Sequence, residues 1–281
     1  MPILHARFQA ERLSLLFWLR FVMFLVALPI LFFIGWPNDA TFYVATILTG
    51  FIWAYADLSS FRANDEFGSA VITKTIPLNV LVTFCMWMVI SPDVLHSYID
   101  HPARGAGIVL SMLAAVVFSM RLQPVSVPRD AFRVLGPVVL MSGLGVVFAK
   151  LALEHAGSAS VDSAVFAYVG LQSLVMAVIF WVIEGVWQTV PAEVFTGRVA
   201  MQSGFFMGLN SIIHMVLKGY AYTMVDNPAY VSVLILTTPL WVMLYYRLVH
   251  RQKVGSLAAG LRILIAAALM VYFTVYFMVY F

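Results

Sequence analysis

Ser203, Met207, Asn210, His214 and Lys218 recur at spacings of three and four residues inside an otherwise apolar run. That spacing puts them on one stripe of a helix. The chemistry open to such a stripe is ligand binding: a hydroxyl and an amide for hydrogen bonds, an ammonium for an anion, and an imidazole that titrates near neutrality. Ionisable groups within apolar runs are costly and usually face a cavity or a partner. Two readings stand for the stripe. It lines a path for a solute, or it holds a helix bundle together through interhelical hydrogen bonds.

Other polar residues in apolar surroundings extend this set. Tyr168 and Gln172 share one face of a second run, and Tyr222 closes the run that carries the stripe. Lys74 and Asn79 bracket Pro77; a proline removes one helix hydrogen bond and frees a carbonyl, so polar neighbours there can join a binding site. Lys74 has a competing role, because its long side chain can snorkel to the membrane surface. Arg20 is expected to snorkel beside Trp18, Asp57 to close its run at the water boundary, and Lys150 and Glu154 to form a surface ion pair. Gly204 and Gly208 make a GxxxG pattern that lets another backbone approach, and Pro77 and Pro239 are structural breaks.

Catalysis has no comparable signal. Cys85 is the only cysteine, so neither a disulfide within the chain nor a cysteine metal site can form. His-Glu-x-x-His, Gly-x-Ser-x-Gly and the Walker signature are absent. No enzyme activity, cofactor or metal is expected.

The elements that position these residues are set by composition. Hydrophobic residues make up 63% of the chain and charged residues 10%, against about 25% charged in a soluble domain. Nine apolar stretches occupy 14–35, 40–58, 67–91, 104–120, 132–153, 163–187, 199–223, 228–246 and 256–279. Each is close to the roughly 20 helical residues that cross about 30 Å of hydrocarbon. The runs are continuous and do not alternate every second residue, which excludes a transmembrane β-barrel. The first run follows Arg7 and Arg12, lacks a small-x-small cleavage site, and is expected to be a retained helix. The chain is predicted to be an all-α polytopic membrane protein with nine transmembrane helices.

Charge sets the orientation. Arg7, Arg12, Arg62, Arg121, Arg129, Arg133, Arg198, Arg247, Arg251 and Lys253 fall on the side of the N-terminus, against Arg104 and Lys150 on the other. Cytoplasmic loops collect Lys and Arg, so the N-terminus is expected inside and the C-terminus outside, in the cell (inner) membrane. The net charge of +3 comes from these loops and gives no reason to expect a nucleic-acid partner.

Thr75-Ile76-Pro77-Leu78 returns as Thr237-Thr238-Pro239-Leu240, 162 residues later. Such an echo suggests duplication, which is common among carriers. The polar linker at 121–131 divides the chain into an N-terminal repeat of four helices (1–120) and a C-terminal repeat of five (132–281).

From Gly145-Val146-Val147-Phe148-Ala149-Lys150 to Asn227-Pro228-Ala229-Tyr230 and Thr237-Thr238-Pro239-Leu240, with a basic turn and a final small-residue helix, the chain resembles the drug/metabolite transporter superfamily, in particular its EamA-like permeases. The resemblance implies two inverted repeats, with the proline-containing helix of each facing a central cavity. Family members typically have ten helices and the usual first one is missing here, so two expectations stand: a true nine-helix variant, or a chain that starts at an internal Met. The deep ionisable groups Lys74, His214 and Lys218 are basic or potentially so, and no deep carboxylate is expected to match them. A carrier moving an anionic or zwitterionic solute, an amino acid for example, by alternating access between spans three, seven and eight follows as the leading function. A non-transporting membrane scaffold derived from a carrier is the alternative. The partners are then a small-molecule solute and the lipid bilayer. A homodimer stays open, although the glycine pair is no evidence for one.

Overall fold

The computed structural model describes residues 11–122, 125–187, 191–249 and 256–280. Arg7, Arg251 and Lys253 of the charge count, Gln123 and Pro124 of the linker, and the side chain of Trp187 lie outside the described residues. The described elements are helices: α1 (Arg12–Leu31), α2 (Ala40–Phe67), α3 (Ser69–Thr75), a 3-10 turn (Ile76–Leu78), α4 (Asn79–Ile90), α5 (Pro92–Asp100), α6 (Pro102–Met120), α7 (Arg129–Glu154), α8 (Val161–Trp187), α9 (Ala192–Phe195), α10 (Arg198–Thr223), α11 (Ala229–Ile235), α12 (Thr238–Val249) and α13 (Leu257–Tyr280). Among the described residues, nine helical stretches are long and apolar enough to cross a membrane. The chain is an all-α polytopic membrane protein. The spans match the sequence boundaries to within a few residues, except that the second continues to Phe67.

Local chemistry explains the helix ends. Glu11 precedes α1 and accepts from the Ser14 N–H at 2.9 Å, and Asp39 caps α2 by accepting from the Thr41 N–H at 2.7 Å. That backbone hydrogen bond holds the Asp39 carboxyl below the usual carboxylate range. α2 stops at Gly68, whose φ of 83° turns the chain into α3.

Both spans that carry the Thr-x-Pro-Leu echo are broken there. The third is a seven-residue helix, a 3-10 turn containing Pro77, and a twelve-residue helix. The eighth is a seven-residue α11, an interruption at Leu236 and Thr237, and a twelve-residue α12 that has Pro239 in its first turn. A proline ring lacks the N–H that would bond the carbonyl four residues earlier, which ends the first segment in each case.

The helices form two compact units. One comprises the described residues up to Phe61 with Phe148–Met224, so it holds α1, most of α2, the end of α7, and α8 to α10. α1 lies against α8 and α10, and Leu13, Leu16, Ala54, Met176 and Phe180 form its apolar cluster. The other comprises Arg62–Val147 with the described residues from Val225 onward. There α13 lies along α6 and α11 touches α4; Val80, Ile108, Met112, Val233, Leu240 and Ile263 are buried together. Each unit therefore combines helices from both halves of the sequence.

Candidate functional site

The first unit gathers four helices, α2, α7, α8 and α10, around one recess, and glycines permit it. A Cβ on Gly50 of α2 would lie 2.6 Å from Val175 Cγ1 of α8, and one on Gly219 of α10 would lie 2.8 Å from Val165 Cγ1 of α8. Only bare backbone allows those approaches. The recess is lined by Trp53, Ala149, Tyr168, Met215, Lys218, Gly219 and Tyr222, and has room for about one water molecule.

Lys218 is the charge in this recess. Its ammonium lies 5.3 Å from the centre of the Trp53 ring and 5.4 Å from that of Tyr222. Both are within the roughly 6 Å over which an aromatic face attracts a cation. Among the described residues no carboxylate stands within ion-pair distance of it. Gln172, one turn along α8 from Tyr168, is 1% exposed, and neither its amide oxygen nor its amide nitrogen has a hydrogen-bond partner. Each buried polar atom left so costs about 1–3 kcal/mol. The recess offers an ammonium to an anion, and the unpartnered Gln172 amide lies one helical turn from Tyr168 of its wall.

Arg20 and Asp57 correct two expectations. Arg20 does not snorkel: its Nη2 donates to Asp57 Oδ2 at 2.7 Å, with the side chains 12% and 25% exposed. Asp57 does not end its helix, because α2 runs ten residues beyond it. Backbone hydrogen bonding continues a helix past the point where hydropathy falls, and an arginine eight residues, about 12 Å, into α1 finds a nearer partner across the helix pair than at the surface. Arg20 therefore has a carboxylate partner, whereas Lys218, among the described residues, has none within ion-pair distance.

The stripe on α10 divides along its length. Ser203 and Met207 are buried, Lys218 is half-buried, and Asn210 and His214 are exposed. The five residues run along the edge of the buried face, whose centre is marked by Gly204, Gly208, Ser211 and Tyr222. Small differences in neighbouring helices then decide which are covered. Gly204 and Gly208 sit against Trp18, Leu19 and Val22 of α1, so the GxxxG pattern is a seam inside the chain. Lys150 and Glu154 pair at 2.9 Å, with Lys150 4% exposed, so that pair is more deeply set than a surface bridge.

Lys74, Asn79, Pro77 and Pro239 belong to the second unit. Lys74 has a partner within the unit: its ammonium donates to the Val125 carbonyl of the linker, which gives it an anchoring role. Asn79 is half-buried at the start of α4, where its carbonyl lies close to Gly143. Lys74→Met is expected to destabilise the protein by about 1–3 kcal/mol, the range for losing a charged hydrogen bond, and to leave solute binding intact. Loss of binding with an unchanged melting temperature would overturn that assignment.

Sequence reasoning missed Trp53, the Arg20–Asp57 pair, and a polar knot in the second unit. In the knot Trp87 Nε1 donates to the Asp226 carbonyl at 2.7 Å, Arg104 Nη2 reaches the Asp226 carboxylate at 4.0 Å, and the Tyr98 and Tyr230 hydroxyls share a hydrogen bond. Burial pushes the Tyr98 phenol above its ordinary value. Nothing in the sequence marks the knot, because Asp226-Asn227-Pro228 has the residue types of an ordinary turn between helices. Among the described residues no group of three or more His, Cys, Asp or Glu could hold a metal. No family model matches this chain, and no curated protein matches it.

Proposed function

We propose that the protein is a secondary carrier that moves a small anionic or zwitterionic organic solute by alternating access, in the manner of the drug/metabolite transporters it resembles. One observation carries this reading: the two spans that share the Thr-x-Pro-Leu echo are broken at corresponding points, seven residues in, with twelve following. Interrupted backbone is tolerated at membrane depth only where protein buries it or where it lines a cavity. Carriers built from inverted repeats contain such discontinuous helices. Here both breaks lie in the second unit and the Lys218 recess in the first, so the breaks support the carrier architecture and not the position of the site. The two broken spans are the third and the eighth, so consecutive crossings take them through the membrane in opposite senses, as inverted repeats require. Positive charge places the N-terminus in the cytoplasm and the C-terminus outside, in the inner membrane.

In the first unit, Lys218 is the group for the anionic end of the solute, and Gln172 and Tyr222 are the groups for its hydrogen-bonding part. Trp53 and Tyr222 hold the ammonium away from water until an anion replaces the rings as its partner. Exposed Asn210 and His214, costly against lipid, fit a wet approach to this recess. Loading requires the recess to widen, which is the opening step of an alternating cycle.

Flux into proteoliposomes, measured across a panel of amino acids, dicarboxylates and phosphorylated sugars, tests the reading. At least one solute is expected to accumulate, with Lys218→Met lowering its flux about tenfold or more and Lys218→Arg retaining part of it, as a lost charge-assisted contact implies. A folded protein that moves none of these solutes would sink the carrier reading for those classes. The small size of the recess favours the second reading, a scaffold that binds no solute, and the same assay separates the two.

A further inference from the structure

The geometry points to an anionic phospholipid bound along α6 and α13 of the second unit, with its phosphate at Arg262 and an acyl chain in the adjoining groove. The inference needs only the membrane fold and is independent of the transport reading. The groove encloses about 350 Å³, and its lining is apolar apart from Ser111 and Arg262. Leu110, Ile265 and Leu269 beside it are exposed, so it opens outward.

Length and charge select the occupant. Eleven residues separate Phe118 from Gly107 along α6, and eleven separate Arg262 from Phe273 along α13. At 1.5 Å per residue the groove runs about 16 Å, close to the 15 Å or so of a single leaflet's hydrocarbon. One end is closed by Phe273, whose ring lies against the bare backbone of Gly107. The other end carries the charge. The Arg262 guanidinium sits 5.7 Å over the Phe118 ring, is exposed, and has no carboxylate within ion-pair distance among the described residues. Exposed Arg121 ends the same turn of α6 three residues after Phe118, and the basic linker follows it. An anionic headgroup meets two guanidinium groups there while its chain covers the groove, and basic clefts between spans bind anionic lipids by this combination. A zwitterionic lipid offers the same chain but adds its own cation beside the arginines.

The test uses delipidated full-length protein in detergent, titrated with phosphatidylglycerol, phosphatidylcholine or inorganic phosphate while the melting temperature is followed. Phosphatidylglycerol is expected to stabilise at lower concentration than phosphatidylcholine, and inorganic phosphate to have no effect. Arg262→Gln is expected to weaken phosphatidylglycerol binding about tenfold, the loss of one charge-assisted contact, and Arg262→Lys to retain most of it. Ala114→Leu fills the middle of the groove without touching the charge and is expected to weaken binding as well. The proposal is overturned by an equal response to the two lipids, by stabilisation with inorganic phosphate alone, or by an unaltered response in Arg262→Gln or Ala114→Leu.

Discussion

Arg20→Ala, made with Asp57 in place, is expected to lower the unfolding free energy by about 1.5–3 kcal/mol, the range for losing a hydrogen bond between charged groups, because side chains 12% and 25% exposed keep part of their solvation. The pair joins α1 to α2 at 2.7 Å, and both side chains are mostly shielded. Arg20 Nε already lacks a partner, so this guanidinium depends on Asp57 for its compensation. Asp57→Ala is expected to cost a similar amount for the reciprocal reason. The double variant Arg20→Met/Asp57→Leu removes both charges together and is expected to recover most of the loss, because apolar replacements of similar volume often match a buried ion pair. Unfolding in detergent micelles, run as a double-mutant cycle, measures the coupling directly. Additive single effects, with coupling below about 0.5 kcal/mol, would mean that water screens the pair and that Arg20 is an ordinary interfacial arginine.

The second large effect is expected at Gly204. A Cβ there would lie 2.3 Å from Trp18 Cβ and 2.9 Å from the Trp18 carbonyl carbon. Backbone cannot swing aside as a side-chain tip can, so α1 and α10 must separate. Gly204→Ala is expected to cost about 1–3 kcal/mol by overpacking, with Gly204→Leu failing to assemble the helix pair. Separation would also strain the Trp18 Nε1 hydrogen bond to the Phe195 carbonyl, now 2.8 Å. Gly136 of α7 provides the control, since a Cβ there meets nothing within 4 Å. Gly136→Ala is expected to be neutral or to stabilise by about 0.5–1 kcal/mol through helix propensity. Melting temperatures of the three variants decide the matter; a Gly204→Ala protein as stable as Gly136→Ala would remove the seam from the account.

The long apolar runs were legible because a lipid solvent leaves a one-dimensional record: about 20 consecutive apolar residues per crossing. The break at Pro77 was legible for a similar reason, as a missing N–H is a property of the residue itself. Lys74 shows where that legibility stops. A lysine two turns into a span can reach a surface, a ligand or a carbonyl, and only the fold brings Val125 to it. Arg20 and Asp57, 37 residues apart, were both assigned to the membrane surface because neither carries a mark of the other. The GxxxG pattern on α10 announced a close approach without naming Trp18 as its neighbour.

The polar site divides along the same line. Periodicity put Asn210, His214 and Lys218 on one stripe, and that much is helix geometry. Which of the three enters a recess depends on where α2 and α8 approach α10, and Gly50 and Gly219 settle that through contacts far apart in the chain. Sequence alone therefore determined the membrane as solvent, the number of crossings and the paired breaks, since these follow from local composition and the backbone chemistry of proline. Tertiary structure alone decided that Asp57 pairs with Arg20 and that Trp53 and Tyr222 flank Lys218. Electrostatic pairing is a property of distances in space, and sequence separation does not encode those distances.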